Sequence, residues 1–341
     1  MRRSTAPRCS VVMPVYNTPE PYLREAIESI LQQSFKDLEL LIVDDCSQPY
    51  VRVIVESYAD ERVRYFRLEN QSGAAVARNH ALDAARGEFI AFMDADDISL
   101  PERLQKQVDY LDAHPEISCL GTSYKYFDGK RYKKAPSVPH DHEGIESYLL
   151  FCGCAFCHSS VMLRRSVLEE FSIRYRPEYK VAQDCALWFD LIGKVRFATL
   201  DDVLVYYRMH PHSISRHSLR QQVRNMARAQ AALLERSGGF AFEDKETWPH
   251  LLEGTTLTHQ EYTEISKRLI QVAEALQAQR GYKAQSVKTA LRQRVRKAFL
   301  RTRGVRGQRE LLRLPLRKYV ELPLWWCLYC FITKGLLCRQ R

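Results

Sequence analysis

The stretch Gly87 to Pro101, Gly-Glu-Phe-Ile-Ala-Phe-Met-Asp-Ala-Asp-Asp-Ile-Ser-Leu-Pro, constrains the fold more than any other. Phe89 to Met93 is an apolar, β-favouring run that predicts a buried strand. It stops at three carboxylates, Asp94, Asp96 and Asp97, after which Ser99 and Glu102 read as a capping box opening a helix. Carboxylates at the carboxyl end of a buried strand stand where open α/β sheets bind ligands. Left unpaired they repel one another, so a hard divalent ion carrying phosphate oxygens is expected beside them.

The upstream chain repeats the pattern. Residues 9–15 and 38–43 read as buried strands, the second ending at Asp44-Asp45, and a third strand is expected near 62–67. Helical periodicity falls between them over 20–33, 50–59 and 73–85. This βαβαβαβ order predicts an α/β fold with a doubly wound, mostly parallel sheet. Further on, strands are expected near 117–127 and 130–134 around Asp128-Gly129, read as a type I′ hairpin turn, then at 160–163, 195–199 and 203–207. Helices are expected near 143–151 and 184–191. From about Ser218 the chain turns helical and rich in Arg, Gln and Ala. The expected division is an α/β domain at 1–216, a C-terminal helical extension at 217–282, and a basic, aromatic tail at 283–341.

Charge narrows the class of partner. The formal net charge is +10, yet Lys283 to Lys318 holds thirteen Lys/Arg against Glu310 alone, leaving the rest near −2. The basic character therefore belongs to the tail, and no nucleic-acid partner is expected. Ten cysteines in 341 residues, in apolar contexts, read as reduced core thiols. Cys152, Cys154, Cys157 and His158 lack the second separated ligand pair of a closed zinc site. No signal peptide and no uncharged apolar run of about 18 residues is visible, so a cytoplasmic body is expected.

Five pieces carry a resemblance to glycosyltransferase family 2, whose nucleotide-sugar-binding fold is called GT-A: Ser10–Asn17, Ser29–Phe35, Glu39–Ser47, Ala77–Asn79 and Gly87–Asp97. A weaker match runs through Gln183-Asp184 to Tyr207–His210. The resemblance implies an inverting, metal-dependent transferase of hexosyl or N-acetylhexosaminyl type. It would move sugar from a nucleoside diphosphate, a UDP-sugar for preference, to a hydroxyl of a cell-surface glycan or glycolipid. Position by position, it implies that Asp45 binds the base with Pro14 and Tyr16, Arg78 approaches the diphosphate, and Asp94 touches the ribose. Asp96 would ligate Mg²⁺ or Mn²⁺, His210 would contact the diphosphate or metal, and Asp184 would be the catalytic base. Gln183 stands where the family usually has Glu, and Cys46 where it usually has Gly.

The chemistry suits these residue types. A diphosphate leaving group needs cationic stabilisation, and the acceptor hydroxyl needs a base on the opposite face. One such carboxylate implies single displacement with inversion. Blander readings stand beside these: Asp184 as a first-turn helix residue, His210 as a solvated loop group, Asp97 as a supporting or capping residue. His158 is placed near the acceptor. The basic stripe at 287–300 and the aromatic segment 322–338 read together as a peripheral anchor on an anionic inner membrane face. Rival classes are a nucleotidyltransferase, which would want a Gly-rich loop where Pro14-Val-Tyr-Asn17 stands, and a non-enzymatic nucleotide- or nucleic-acid-binding protein.

Overall fold

The computed structural model describes residues 6–210, 218–238 and 259–301. The chain divides into two compact units, Met1–His142 with Ala155–His217, and Glu143–Cys154 with Ser218–Arg341.

The first unit opens as expected: β1 (Cys9–Val15), α1 (Glu20–Leu31), β2 (Leu38–Asp44), α2 (Pro49–Glu56), β3 (Val63–Arg67), α3 (Ala74–Ala84) and β4 (Phe89–Phe92). There follow β5 (Ile98–Ser99), α4 (Arg103–Ala113), β6 (Cys119–Phe127) and β7 (Tyr132–Lys134). After α5 (His142–Phe151) come β8 (Met162–Arg164), α6 (Arg165–Glu170), α7 (Gln183–Leu191) and β9 (Phe197–Arg208). They build one sheet in the order β3-β2-β1-β4-β8-β6-β9-β5, with β7 paired to β6. Strands β3, β2, β1 and β4 are mutually parallel, and β2 and β4 are buried along their whole length. That is why β4 reads as a continuous apolar run and β2 as one broken only by Glu39 and the terminal Asp44.

Strand direction decides what reaches the site. β8 runs antiparallel to β4, and β6 antiparallel to β8, so two reversals restore the original sense; β9 then pairs parallel to β6. The carboxyl end of β9, Tyr207-Arg208, therefore arrives at the same sheet edge as the ends of β1, β2 and β4. At the opposite end Glu39 is buried but satisfied, accepting from Ser10 Oγ at 2.6 Å, Arg64 Nη1 at 2.6 Å and Arg86 Nη2 at 2.8 Å.

Several expectations need correction. Ser99 does not cap a helix, because Ile98-Ser99 is recruited as a strand against Tyr206 and Val205. α4 starts at Arg103 with no side-chain cap from Glu102; Gln33 serves instead, its Oε1 accepting the Leu104 N–H at 3.0 Å. The β6–β7 connection is a four-residue loop, not a two-residue type I′ turn. Only Gly129 takes positive φ, and Asp128 Oδ1 accepts the N–H groups of Lys130 and Arg131 at 3.1 and 2.8 Å. The two strands expected at 195–199 and 203–207 are one strand, β9, carried across Asp201-Asp202 by its pairing with β6, whose register shifts between Thr122 and Tyr124.

The second unit is helical in its described part: residues from α5, with α8 (Leu219–Gly238), α9 (His259–Arg280) and α10 (Ala284–Arg301). Gln230 Nε2 donates to Leu149 O at 2.7 Å, and Cys152 Sγ contacts Ala290 O at 3.0 Å. Val287, Ala290 and Leu291 of the expected basic stripe are buried inside this unit. No described helix is long and apolar enough to cross a membrane. The aromatic segment 322–338 lies outside the described residues.

Candidate active site

The carboxyl ends of β1, β2, β4 and β9 enclose a cavity of about 510 Å³. Pro14, Tyr16, Asp45, Arg78, Asp94, Asp96, Tyr207 and His210 line it. Seven of the eight site residues expected from sequence are thus brought together; Asp184 is not in the lining.

Asp45 is 3% exposed and ties two elements together. Its Oδ1 accepts the Ser72 N–H at 2.6 Å and its Oδ2 the Gly73 N–H at 2.8 Å, anchoring the start of α3. A carboxylate oxygen accepts more than one hydrogen bond, so this leaves acceptor capacity at the cavity wall. Asp44 has no such role. It is fully buried, with Ser47 N–H at 2.8 Å, Tyr65 Oη at 2.6 Å and Arg67 Nη1 at 2.7 Å. Cys46, between Asp45 and Ser47, takes φ of 61°, the left-handed region that favours glycine.

α3 delivers Arg78, whose Nη2 donates to Asp94 Oδ1 at 2.7 Å and whose guanidinium lies 5.4 Å from the Tyr175 ring centroid. Its Nε is buried with no hydrogen-bond partner. Asp94 also meets His158 Nδ1 at 3.4 Å, and its N–H donates to Ser159 Oγ at 3.0 Å. Burial opposes ionisation of Asp94, but Arg78 first, with the His158 ring beside it, outweighs burial and holds the carboxyl well below its ordinary range. Asp97 goes the other way: burial first, then the charges of Asp96 and Asp94, push its carboxyl well up.

Asp97 is a support and not a wall of the cavity. It accepts from Ser159 Oγ and, at 2.8 Å, from the Arg208 N–H. Arg208 returns from β9 to hold Asp96 O through Nε at 2.7 Å, pairs with Glu25, and packs over the Tyr22 ring at 4.4 Å. This leaves the Asp96 side chain at the cavity, where Oδ2 meets His210 Nε2 at 2.8 Å. His210 is 8% exposed and packs on Tyr22, so it is not a solvated loop group.

His158 is 6% exposed and stands behind Asp94 instead of lining an acceptor surface; its Nε2 meets the Tyr175 hydroxyl at 2.7 Å. Tyr175 is clamped in turn by Asn79, which accepts its N–H and donates to its carbonyl, both at 2.8 Å. Ser159, Tyr175 and Glu25 were missed by sequence reasoning. Asn79 was visible only as part of a motif. Asp184 sits in the first turn of α7, after Ala182 in a left-handed conformation (φ 61°). Its charge is one of the lesser influences that raise the pKa values of Arg78 and Tyr175.

Residues 10–172 match the family described as glycosyl transferase family 2. An uncharacterized glycosyltransferase of Methanocaldococcus jannaschii is 34% identical over 210 residues, covering 60% of this chain and 71% of its own. The chain belongs to glycosyltransferase family 2. A putative teichuronic acid biosynthesis glycosyltransferase, TuaG of Bacillus subtilis, is 33% identical over 61% of this chain and 82% of its own. The fold recurs in S. aureus TarS 1–349 in complex with UDP-GlcNAc, with TM-score 0.56 at 20% identity over 92% of this chain and 89% of that one. It recurs also in the mannosyltransferase PcManGT of Pyrobaculum calidifontis in complex with GDP-Man and Mn²⁺, with TM-score 0.52 at 19% identity over 98% and 88%. The protein is a glycosyltransferase with a GT-A-type fold, which removes the nucleotidyltransferase and the non-enzymatic rivals.

Proposed function

We propose that this glycosyltransferase moves a sugar, with inversion, from a nucleoside diphosphate donor, a UDP-sugar for preference, to a hydroxyl of a cell-envelope glycan or glycolipid. The observation that carries the donor reading is Arg78: a buried guanidinium whose Nε has no partner, in the wall of a cavity that also holds Asp45, Asp94 and Asp96. A buried donor left unpaired is costly, and an anionic oxygen would satisfy it. Asp45 then accepts from the base beside Pro14 and Tyr16, Asp94 accepts from a ribose hydroxyl, and Arg78 takes a diphosphate oxygen.

The residues fit a divalent ion. Asp96 reaches the cavity with Oδ1 beyond its His210 contact, and His210 adds an imidazole. Asp96 with His210 would hold Mg²⁺ or Mn²⁺, the nitrogen donor favouring Mn²⁺. Such an ion supplies neutralisation of charge on the departing diphosphate. Asp184 accepts the acceptor hydroxyl's proton as its oxygen forms the new bond to the anomeric carbon. With one carboxylate in that role, the displacement is single and inverting.

The acceptor class draws support from relatives. One Escherichia coli protein 28% identical over 216 residues is a UDP-Glc:alpha-D-GlcNAc-diphosphoundecaprenol beta-1,3-glucosyltransferase. The proposed arrangement is a catalytic domain at 1–216, a helical extension at 217–282 and a tail at 283–341. The proposed location is the cytoplasm, peripheral to the inner membrane face, with support from the tail's composition. Titration calorimetry with UDP, GDP and CDP tests the donor reading. UDP should bind with Mn²⁺ present and lose most affinity in Asp96→Ala; equal, metal-independent binding of all three would remove it.

A further inference from the structure

The β6–β7 hairpin carries a charge pattern that its own folding does not ask for. Lys125, Lys130, Arg131, Lys133 and Lys134 stand against a single acid, Asp128, whose Oδ1 is spent on the loop N–H groups. None of the five side chains makes a hydrogen bond or ion pair with any described residue. Lys125 lies directly opposite Lys134 in the antiparallel register, and like charges so placed destabilise a sheet. Beside them Tyr132 is 52% exposed, one of the few large hydrophobics so exposed, and it stacks on Phe127 at 4.8 Å with rings 13° apart.

Edge strands often carry lysine to block pairing with another chain. That explains Lys133 and Lys134 on β7. It explains neither Lys125, which sits on β6 between β7 and β9, nor an exposed tyrosine in line with the charges. The hairpin also continues the wall of the cavity: Tyr126 pairs with Tyr207, a lining residue, and packs on it at 5.8 Å between ring centroids. Cations interleaved with partly exposed aromatic rings suit the headgroup layer of a bilayer, where the charge meets phosphate and the ring spans the polar–apolar boundary.

We propose that the β6–β7 hairpin docks this glycosyltransferase on an anionic lipid bilayer, at the mouth of the cavity. The occupant is the bilayer surface, since Lys130, Arg131, Lys133, Lys134 and Tyr132 lie exposed on the β6–β7 loop and the edge strand β7 and not in a pocket shaped for one free phosphate. The surface is independent of residues 283–341.

The test uses the full chain and vesicles of phosphatidylcholine with and without phosphatidylglycerol. Replacing Lys130, Arg131, Lys133 and Lys134 together by Gln should weaken binding to the anionic vesicles by about tenfold or more, each cation near such a surface adding appreciably. Tyr132→Ala should weaken it less, and UDP binding should stay unchanged in both variants. Because all these side chains are exposed, thermal melting should match wild type. Three outcomes overturn the proposal: equal vesicle binding by wild type and the fourfold variant, no preference for anionic vesicles, or a loss confined to heparin in solution. A loss of UDP binding instead would assign the cations to the donor site and overturn it equally.

Discussion

Removing one oxygen atom tests how Asp94 is held. Tyr175 is 2% exposed, and its hydroxyl meets His158 Nε2 at 2.7 Å while His158 Nδ1 faces Asp94 Oδ1 at 3.4 Å. A carboxylate only accepts, so the nitrogen facing it, Nδ1, carries a proton, and in that tautomer Nε2 accepts the Tyr175 O–H. Burial raises the Tyr175 hydroxyl well above its ordinary value, which keeps that proton in place. In Tyr175→Phe the ring nitrogen loses its donor, or the proton moves to Nε2 and turns a lone pair toward Asp94. A buried polar group left unsatisfied costs about 1–3 kcal/mol. If about 1.4 kcal/mol of this falls on the Asp94–Arg78 pair, UDP binding weakens about tenfold.

The assay pairs urea unfolding, followed by tryptophan fluorescence (the Trp188 and His158 ring centroids are 6.1 Å apart), with calorimetric UDP binding. Nitrogen-15 spectra of His158 should show the Nδ1–H form in wild type and a changed tautomer in the variant. Wild-type stability and UDP affinity in Tyr175→Phe, or an Nε2–H tautomer in wild type, would refute the reasoning.

Three further perturbations report on the frame around the site. Glu39→Gln breaks a buried carboxylate bound by Arg64 and Arg86, and should cost roughly 3 kcal/mol at neutral pH by denaturant melting. Burial opposes the Glu39 charge, but Ser10, Arg64 and Arg86 together lower its pKa. Its contribution is thus complete above the unfolded value of about 4.3 and lost as pH falls through the folded one, so wild type and variant should converge in acid. Gly87→Ala puts a Cβ 2.6 Å from Ser10 N and 2.8 Å from Cys9 C, both backbone, and should destabilise by about 1–3 kcal/mol in the same assay. Cys46→Val forces a β-branched residue to φ of 61° and should lower stability by roughly 1–2 kcal/mol, whereas Cys46→Gly should leave it close to wild type.

Much of the parallel half of the fold was legible because β1, β2 and β4 are buried along nearly their whole length and are apolar apart from Ser10, Glu39 and the terminal Asp44. The carboxylates at their ends marked the site edge for the same reason. What stayed hidden depended on partners distant in sequence. Ser99 and Glu102 satisfy a local capping rule, yet β9 claims Ser99 from about a hundred residues away and Gln33 does the capping. Asp94, Asp96 and Asp97 look equivalent in the chain. They separate only through His158, Ser159, Arg208 and His210, of which the resemblance assigns His210 alone to the site; all four lie far along the chain from the residues they sort. Tyr175 has no motif at all; Asn79 on α3, 96 residues upstream, is what fixes it.

The central claim, that this site transfers a sugar from a nucleoside diphosphate with Asp184 as base, is tested most directly by nucleoside diphosphate release. The measurement uses a panel of UDP-sugars with Mn²⁺ and a glycolipid acceptor, comparing wild type with Asp184→Asn. The account predicts acceptor-dependent UDP release by wild type. It predicts a fall in kcat of about 10²–10⁴ in Asp184→Asn with the donor KM little changed. Full turnover by Asp184→Asn would contradict the assignment of the base, and no release from any donor by wild type would contradict the reading of the site itself.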